Sequence, residues 1–288
     1  MMTSKQTVLI IGGGWHPPKS YNKLVTSLET SGFDVHVPRH PSLNGIRPPN
    51  AGLSTDSTHI RSYVEDLLKN GREVIVLMHS YGGQVGTNSL HGLGLKDRAK
   101  SGLKGGVSNL IYMTACALSE GKAMIEMVKH HGHEELMPLA FDIAEDMSCV
   151  NRDPKTLLIG VDSGLPEQEV EDQISTLVRW NAGCMYEPLT TDRAAWRDIP
   201  VTYIYTTKDM TVPIFYQTWL VEGMKKEGVQ VQTATLETGH SPNLTAADEV
   251  TEIVAKVARG EVLETRSLEE VTDNQELRDT ILSVSGGK

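Results

Sequence analysis

Apolar residues in this chain gather in short runs separated by stretches of helical period. VLII at 8–11 carries no polar side chain and ends in three glycines at 12–14. Runs of four to eight such residues closed by turn formers predict strands buried on both faces. The same texture returns at 34–38, in VIVLM at 74–78, in NLIYMTACA at 109–117, at 201–207 and at 231–237. Between these runs lie helical patterns: SYNKLVTSLETSG after Pro17-Pro18, HIRSYVEDLLKNG, GGQVGTNSLHGL, IFYQTWLVEGMKKEG and AADEVTEIVAKVARG. Proline is tolerated in a first helical turn, because the N–H it lacks has no partner there. The segment HPSLNGIRPPNAGLSTD at 40–56 reads as a long loop.

Strands alternating with helices predict an α/β fold, a mostly parallel sheet with helices on both faces. The alternation fails between 119 and 196. There GKAMIEMVKHHG and EQEVEDQISTLVRW have helical spacing and no run reads as a strand. The expected organisation is a core of 1–118 and 197–262, a helical lid inserted at 119–196, and a C-terminal tail at 263–288. In the tail Leu277, Ile281 and Val284 stand at i, i+4 and i+7, which suits a short amphipathic helix folded back on the core or used in a dimer contact.

Composition narrows the function classes. The 288 residues carry 27 Lys and Arg against 37 Asp and Glu, a formal charge of −10 with no basic run, which argues against a nucleic-acid partner. No stretch approaches the roughly 18 apolar residues of a membrane span, so no membrane partner is expected. The first residues, MMTSKQTVLII, lack the apolar core and cleavage site of a secretion signal. Cys116, Cys149 and Cys184 are odd in number and widely spaced, which fits free thiols in a reducing, cytoplasmic setting.

The candidate chemistry centres on VIVLMHSYGGQVG. A strand entering a helix through a one-residue corner forces the corner side chain, Ser80, into the open at the carboxyl edge of the sheet, and small neighbours must let strand and helix approach. Gly82 and Gly83 meet that need; the position two before the serine, where glycine is expected, holds Met78. A serine hydroxyl needs a base within hydrogen-bond reach, and the base needs a carboxylate to hold its tautomer. His240 follows the last strand and Asp209 the one before it. Each of the three falls on a strand-end loop, where parallel sheets gather functional groups. The bland alternatives, a helix-capping serine, a turn aspartate and a loop histidine, are each reasonable alone and together require a coincidence of order and place. Negative charge on a substrate oxygen needs backbone N–H donors, and Tyr81 and Gly14 are the candidates for this oxyanion hole. A phosphate-binding reading of the glycines fails, since neither G-x-G-x-x-G nor a following Lys-Ser/Thr is present.

The motifs GGGWHPP, MHSYGG, AAWRDIPVTYIYTTKDMTVP and TGHSPN, spread from about residue 7 to 258, resemble the α/β-hydrolase superfamily. More narrowly they resemble its small lid-bearing branch of plant methylesterases, hydroxynitrile lyases and uncharacterised fungal and bacterial hydrolases. The resemblance implies Ser80 as nucleophile, Asp209 as acid, His240 as base, and Gly14 with Tyr81 as oxyanion donors. Relatives often have histidine where this chain has Gly12. Dehalogenases and epoxide hydrolases of this fold attack through an aspartate, whose place Ser80 takes. The related hydroxynitrile lyases carry lysine after the histidine, where this chain has Ser241.

The expectation is therefore a serine hydrolase acting on an ester, lactone or thioester of a small-to-medium apolar carbonyl compound, as a monomer or homodimer, with no cofactor and no metal. Two alternatives stay open. One is a natural-product cyclase, isomerase or carbon–carbon lyase using His240 as acid or base; the other is a binding protein without turnover. Trp15, His16 and Cys116 are candidate pocket residues. His130, His131, His133 and Glu134 have metal-like spacing, but Gly132 interrupts them and a solvated lid segment is the expectation. Met124, Met127, Met137 and Met147, with Leu136 and Phe141, are expected in the lid's core, and Trp180 and Trp196 as its packing anchors.

Overall fold

The computed structural model describes residues 5–263 and 274–285. Its strands, in chain order, are β1 (Thr7–Ile11), β2 (Asp34–His36), β3 (Glu73–His79), β4 (Gly106–Met113), β5 (Phe141–Ile143), β6 (Ser148–Asn151), β7 (Trp180–Asn181), β8 (Val201–Thr206) and β9 (Val231–Leu236). Six of them form one sheet in the order β2-β1-β3-β4-β8-β9, every pair parallel.

The unbroken apolar runs have a direct structural reason. Successive side chains of a strand point to opposite faces, so a strand covered on both sides needs apolar residues at every position. Val8, Ile10, Ile75, Leu77, Ile111, Met113 and Ile204 face one way, onto the helices Asn22–Thr30 and Ala247–Ala258. Leu9, Ile11, Val74, Val76, Met78, Leu110, Tyr112 and Tyr203 face the other way, onto Leu53–Leu68, Tyr81–Ser89 and Ile214–Lys226. A polar residue at any of these strand positions would lie in a core, where an unpaired amide or hydroxyl costs about 1–3 kcal/mol.

The chain leaves β1 for β2 on one side and then returns to β3 on the other, so the crossover direction reverses between β1 and β3. Ligand sites of open parallel sheets lie at the carboxyl ends of strands flanking such a reversal. Here those ends are the three-glycine loop and the serine corner.

Three expectations are corrected. The strand expected at 109–117 runs from Gly106 to Met113 and stops because Thr114 takes a left-handed backbone conformation, φ 43°. The helix expected from residue 59 begins at Leu53, inside the expected loop. There the carboxylate of Glu187, 134 residues away, accepts the Leu53 N–H at 3.0 Å and serves as a cap that local sequence does not contain. The insertion is not purely helical: β5, β6 and β7 form a small antiparallel sheet beside the helices Ile125–His130, Met137–Ala140 and Glu167–Thr176. These strands have two to four residues, too few to register as an alternating pattern.

Trp196 closes the far end of the insertion. Its indole N–H donates to the Leu118 carbonyl at 2.8 Å, and Arg197 lies over its ring while pairing with Glu120. The expected tail helix is present at Asn274–Ser285, with Leu277 and Ile281 buried. The side chain of Val284, and the tail at 264–273, lie outside the described residues. Among the described residues no helix is long and apolar enough to cross a membrane.

Candidate active site

Ser80 sits between β3 and the helix Tyr81–Ser89 with φ 55° and ψ −123°, a conformation that L residues rarely adopt. Holding it costs of order 1–3 kcal/mol, which the surrounding packing must supply. The approach of strand and helix requires Gly82: a Cβ there would stand 2.2 Å from the Ile11 carbonyl oxygen. Gly83 is equally confined, 2.7 Å from the Cys116 amide. Met78, where the elbow pattern calls for glycine, is fully buried with its sulfur against Gly86, so a glycine in the second turn of the helix makes the room that the strand residue takes up.

The structure brings Ser80, His240 and Asp209 together. The Ser80 hydroxyl lies 2.9 Å from His240 Nε2, and His240 Nδ1 lies 2.7 Å from Asp209 Oδ2. A carboxylate can only accept from Nδ1, which leaves Nε2 as the acceptor for the serine proton. The carboxylate is itself held. Its Oδ1 accepts the N–H groups of Thr211 at 2.7 Å and Val212 at 2.8 Å, and its Oδ2 accepts the hydroxyls of Thr114 and Thr206. Thr114 was not singled out from sequence. Its strained turn at the end of β4 is what aims the hydroxyl at Asp209, and no local motif encodes that.

The three-glycine loop is tied at each peptide unit by a side chain from elsewhere in the chain or from its own far end. His40 Nε2–H donates to the Gly12 carbonyl at 2.8 Å, the Gly13 N–H donates to the Tyr21 hydroxyl oxygen at 2.8 Å, and His16 Nδ1–H donates to the Gly14 carbonyl at 2.6 Å. Flexible glycines are thereby fixed without a side chain of their own. Gly14 must be glycine, because a Cβ would meet the Trp180 ring at 2.7 Å. Among the described residues neither the Gly14 N–H nor the Tyr81 N–H has an acceptor, and both residues border the same cavity as Ser80.

Tyr21 continues into a second chain. Its hydroxyl lies 2.8 Å from His79 Nδ1, and His79 Nε2 lies 2.7 Å from the His240 carbonyl. The Gly13 amide already supplies a proton to Tyr21, so Tyr21 donates to Nδ1 and His79 donates from Nε2. Burial keeps the histidine neutral, pushing it well below its ordinary range, and keeps the Tyr21 phenol protonated. The residue beside the serine thus joins the glycine loop to the backbone of the histidine.

The cavity over Ser80 is apolar. Trp15, Trp180 and Phe141 roof it, with Trp15 and Phe141 stacked at 5.3 Å. The insertion's small sheet holds this roof in place: the Trp15 indole N–H donates to the Cys149 carbonyl of β6 at 3.1 Å. Met124, Met127 and Met137 also line the cavity, where the sequence suggested lid core; Met147 is instead partly exposed.

Of the candidate pocket residues, Trp15 lines the cavity and His16 and Cys116 do not. His16 lies behind the glycine loop with its ring edge-on to His79. Cys116 is packed beneath the elbow, its N–H on the Ser80 carbonyl at 3.1 Å, and burial pushes its thiol far up, which makes it a packing residue. The expected solvated histidine segment is corrected at one position, since His130 and Glu134 are exposed and His133 is not. His133 is 2% exposed, stacked on Tyr216 and bonded to its hydroxyl at 2.9 Å, because the tail helix and the helix Ile214–Lys226 cover it. Among the described residues no cluster of His, Cys, Asp and Glu is placed to hold a metal.

Comparison with known proteins gives the family and the fold. The model of the Alpha/beta hydrolase family matches residues 8–253. The probable hydrolase R7 of Phoma sp. is 28% identical over 257 residues, 88% of this chain and 99% of that protein. The alpha/beta hydrolase nvfD of Aspergillus novofumigatus is 28% identical over 261 residues, 90% of this chain and 99% of that protein. Among solved structures, the methylesterase MES16 of Arabidopsis superposes with a TM-score of 0.67 at 17% identity, over 88% of this chain and 99% of that one; it speaks for the fold alone.

Proposed function

This chain belongs to the alpha/beta hydrolase family, and from that premise we propose that it is a serine hydrolase which cleaves an ester, lactone or thioester of a small-to-medium apolar carbonyl compound. One observation carries the reading: a buried Ser80–His240–Asp209 hydrogen-bond chain opens, beside two unpaired backbone amides, into an apolar cavity.

The chemistry follows from that arrangement. Ser80 Oγ attacks the carbonyl carbon while His240 Nε2 takes the hydroxyl proton. Asp209 stabilises the imidazolium, and its four other donors keep it in place for that task. The oxygen of the tetrahedral intermediate takes hydrogen bonds from the Gly14 and Tyr81 amides; losing one such donor typically costs about 3 kcal/mol of transition-state stabilisation. Collapse breaks the bond to the alcohol or thiol, which leaves with the proton held by His240. Water then enters, loses its proton to His240 and attacks the acyl-enzyme, and Ser80 recovers its proton as the acid departs.

The cavity recommends a neutral, apolar substrate. Its walls are chiefly aromatic and aliphatic, with no Lys or Arg among the described residues that line it. Methyl esters of apolar acids are natural first substrates to try, given the fold shared with a plant methylesterase. We also place the protein in the cytoplasm, where its three free, buried thiols stay reduced.

The test is intact-mass analysis after a fluorophosphonate, followed by turnover of a panel of esters, lactones and thioesters. A single adduct on Ser80, and turnover abolished by Ser80→Ala, are expected. Turnover that survives Ser80→Ala and is lost in His240→Ala would replace hydrolysis with acid–base chemistry in the same cavity.

A further inference from the structure

The cavity over Ser80 has a wall that does not come from the matched family region. Leu277 and Ile281, on the helix Asn274–Ser285, border the same cavity as Ser80, Gly14 and Tyr81. They are 5% and 4% exposed. Spaced i, i+4, they lie on one face of that helix, and Leu136, Met137 and Ala140 of the insertion border the cavity with them. The family match ends at residue 253, so this helix begins 274 − 253 = 21 residues beyond it.

The helix is clasped to the insertion from outside the cavity. Arg278, between the two apolar residues, pairs with the Glu135 carboxylate and donates to the Gly132 carbonyl at 3.2 Å. Its charge is thereby turned away from the substrate space, and among the described residues the helix presents the aliphatic Leu277 and Ile281 to the cavity. Two branched side chains on a rigid element fix a dimension of the cavity, where a loop would merely cover it.

We propose that Leu277 and Ile281 are specificity-determining residues, forming the wall that limits the length of the substrate's apolar arm. The proposal rests on the serine-hydrolase reading and adds to it which substrates pass. An arm that just reaches the wall gains contact with it; a longer arm meets two side chains that the Arg278 clasp holds in place. Removing those side chains opens space for further methylenes, and enlarging one of them takes space away. One methylene in an apolar pocket changes kcat/KM by about tenfold or somewhat more.

The experiment uses the full-length chain in three forms: unmodified, Leu277→Ala/Ile281→Ala, and Leu277→Trp. Each is assayed on p-nitrophenyl esters of acyl length two to twelve carbons, and on acetate esters of alcohols spanning the same lengths, so that the arm is probed on either side of the carbonyl. In one of the two series the alanine double variant should raise the long-to-short ratio of kcat/KM by about tenfold or more, chiefly through KM, and Leu277→Trp should lower it. The ratio is taken within each variant, so a general change in rate cancels, and fluorophosphonate labelling of Ser80 reports that the site is assembled. Length ratios unchanged in both series, with labelling intact, would overturn the proposal. Absence of labelling in the unmodified chain would instead sink the hydrolase reading beneath it.

Discussion

Met78 and Gly86 are partners across the serine corner: a Cβ built on Gly86 would lie 2.2 Å from the Met78 sulfur. Met78 has no solvent to move into, being fully buried between sheet and helix. Gly86→Ala must therefore push the helix Tyr81–Ser89 away from β3 or force Met78 off its rotamer, a cost of about 1–3 kcal/mol. Met78→Ala alone leaves a void and should cost about 2–5 kcal/mol. Combined, the two should cost less than their sum by more than about 1 kcal/mol, because each relieves what the other causes. Urea unfolding of the four proteins measures the coupling, and additive costs would refute the pairing.

Tyr21→Phe removes a single oxygen that joins Gly13 to His79. The Gly13 N–H is left without its acceptor, and the glycine loop loses one of its three ties. On the proposed mechanism the Gly14 amide would then no longer stand ready for the developing oxyanion, an effect felt in the transition state more than in substrate binding. The expected result is a fall in kcat of about tenfold or more with KM little changed. A rise in KM at constant kcat would mean that the hydroxyl serves only to shape the cavity.

The main sheet was legible because both its faces are covered. Strands such as VLII and VIVLM have to be apolar at every position, and that leaves an unmistakable run. The convergence of Ser80, Asp209 and His240 was legible for a related reason: each follows a strand within a few residues, so strand and residue are read together. What stayed hidden depends on distant partners. Glu187 starts the helix at Leu53, Thr114 bends at the end of β4 to hold Asp209, and His40, Tyr21 and His16 tie the glycines. None of these pairings leaves a local pattern. The role of Leu277 and Ile281 was half visible: their spacing predicts a helix face but not the cavity that the face meets.

Asp209→Asn separates charge from shape. The amide would have to set its NH2 group against donors, either the backbone N–H groups at Oδ1 or the Thr114, Thr206 and His240 donors at Oδ2. The second arrangement is relieved if His240 changes tautomer, with Nδ1 accepting and Nε2 carrying the proton. In that state Nε2 has no lone pair for the serine proton, and kcat should fall by about 10⁴. Thr114→Val removes one of the carboxylate's donors while leaving the tautomer alone, so about a tenfold loss is expected. Ester turnover by the two variants decides the matter, and equal losses would show that Asp209 acts through packing.

Acid should unfold this protein through its buried histidines. Burial lowers His16 from 6.5 to about 4, opposed in part by its bond to the Gly14 carbonyl and reinforced by nearby His240. His40 and His79 are lowered too, again mainly by burial. Between pH 6.5 and 4 the unfolded chain takes up a proton at His16 that the folded chain refuses, so stability is full above 6.5 and falls as pH drops toward 4. For His16 alone the loss between pH 7 and 5 is about 2 kcal/mol, from about 1.4 kcal/mol per unit. His16→Asn keeps an N–H for the Gly14 carbonyl and removes the titration. Urea midpoints of the variant should therefore decline less between pH 7 and 5 than those of the unmodified chain. Parallel declines in the two proteins would assign the acid sensitivity to His40, His79 or the carboxylates, and clear His16 of it.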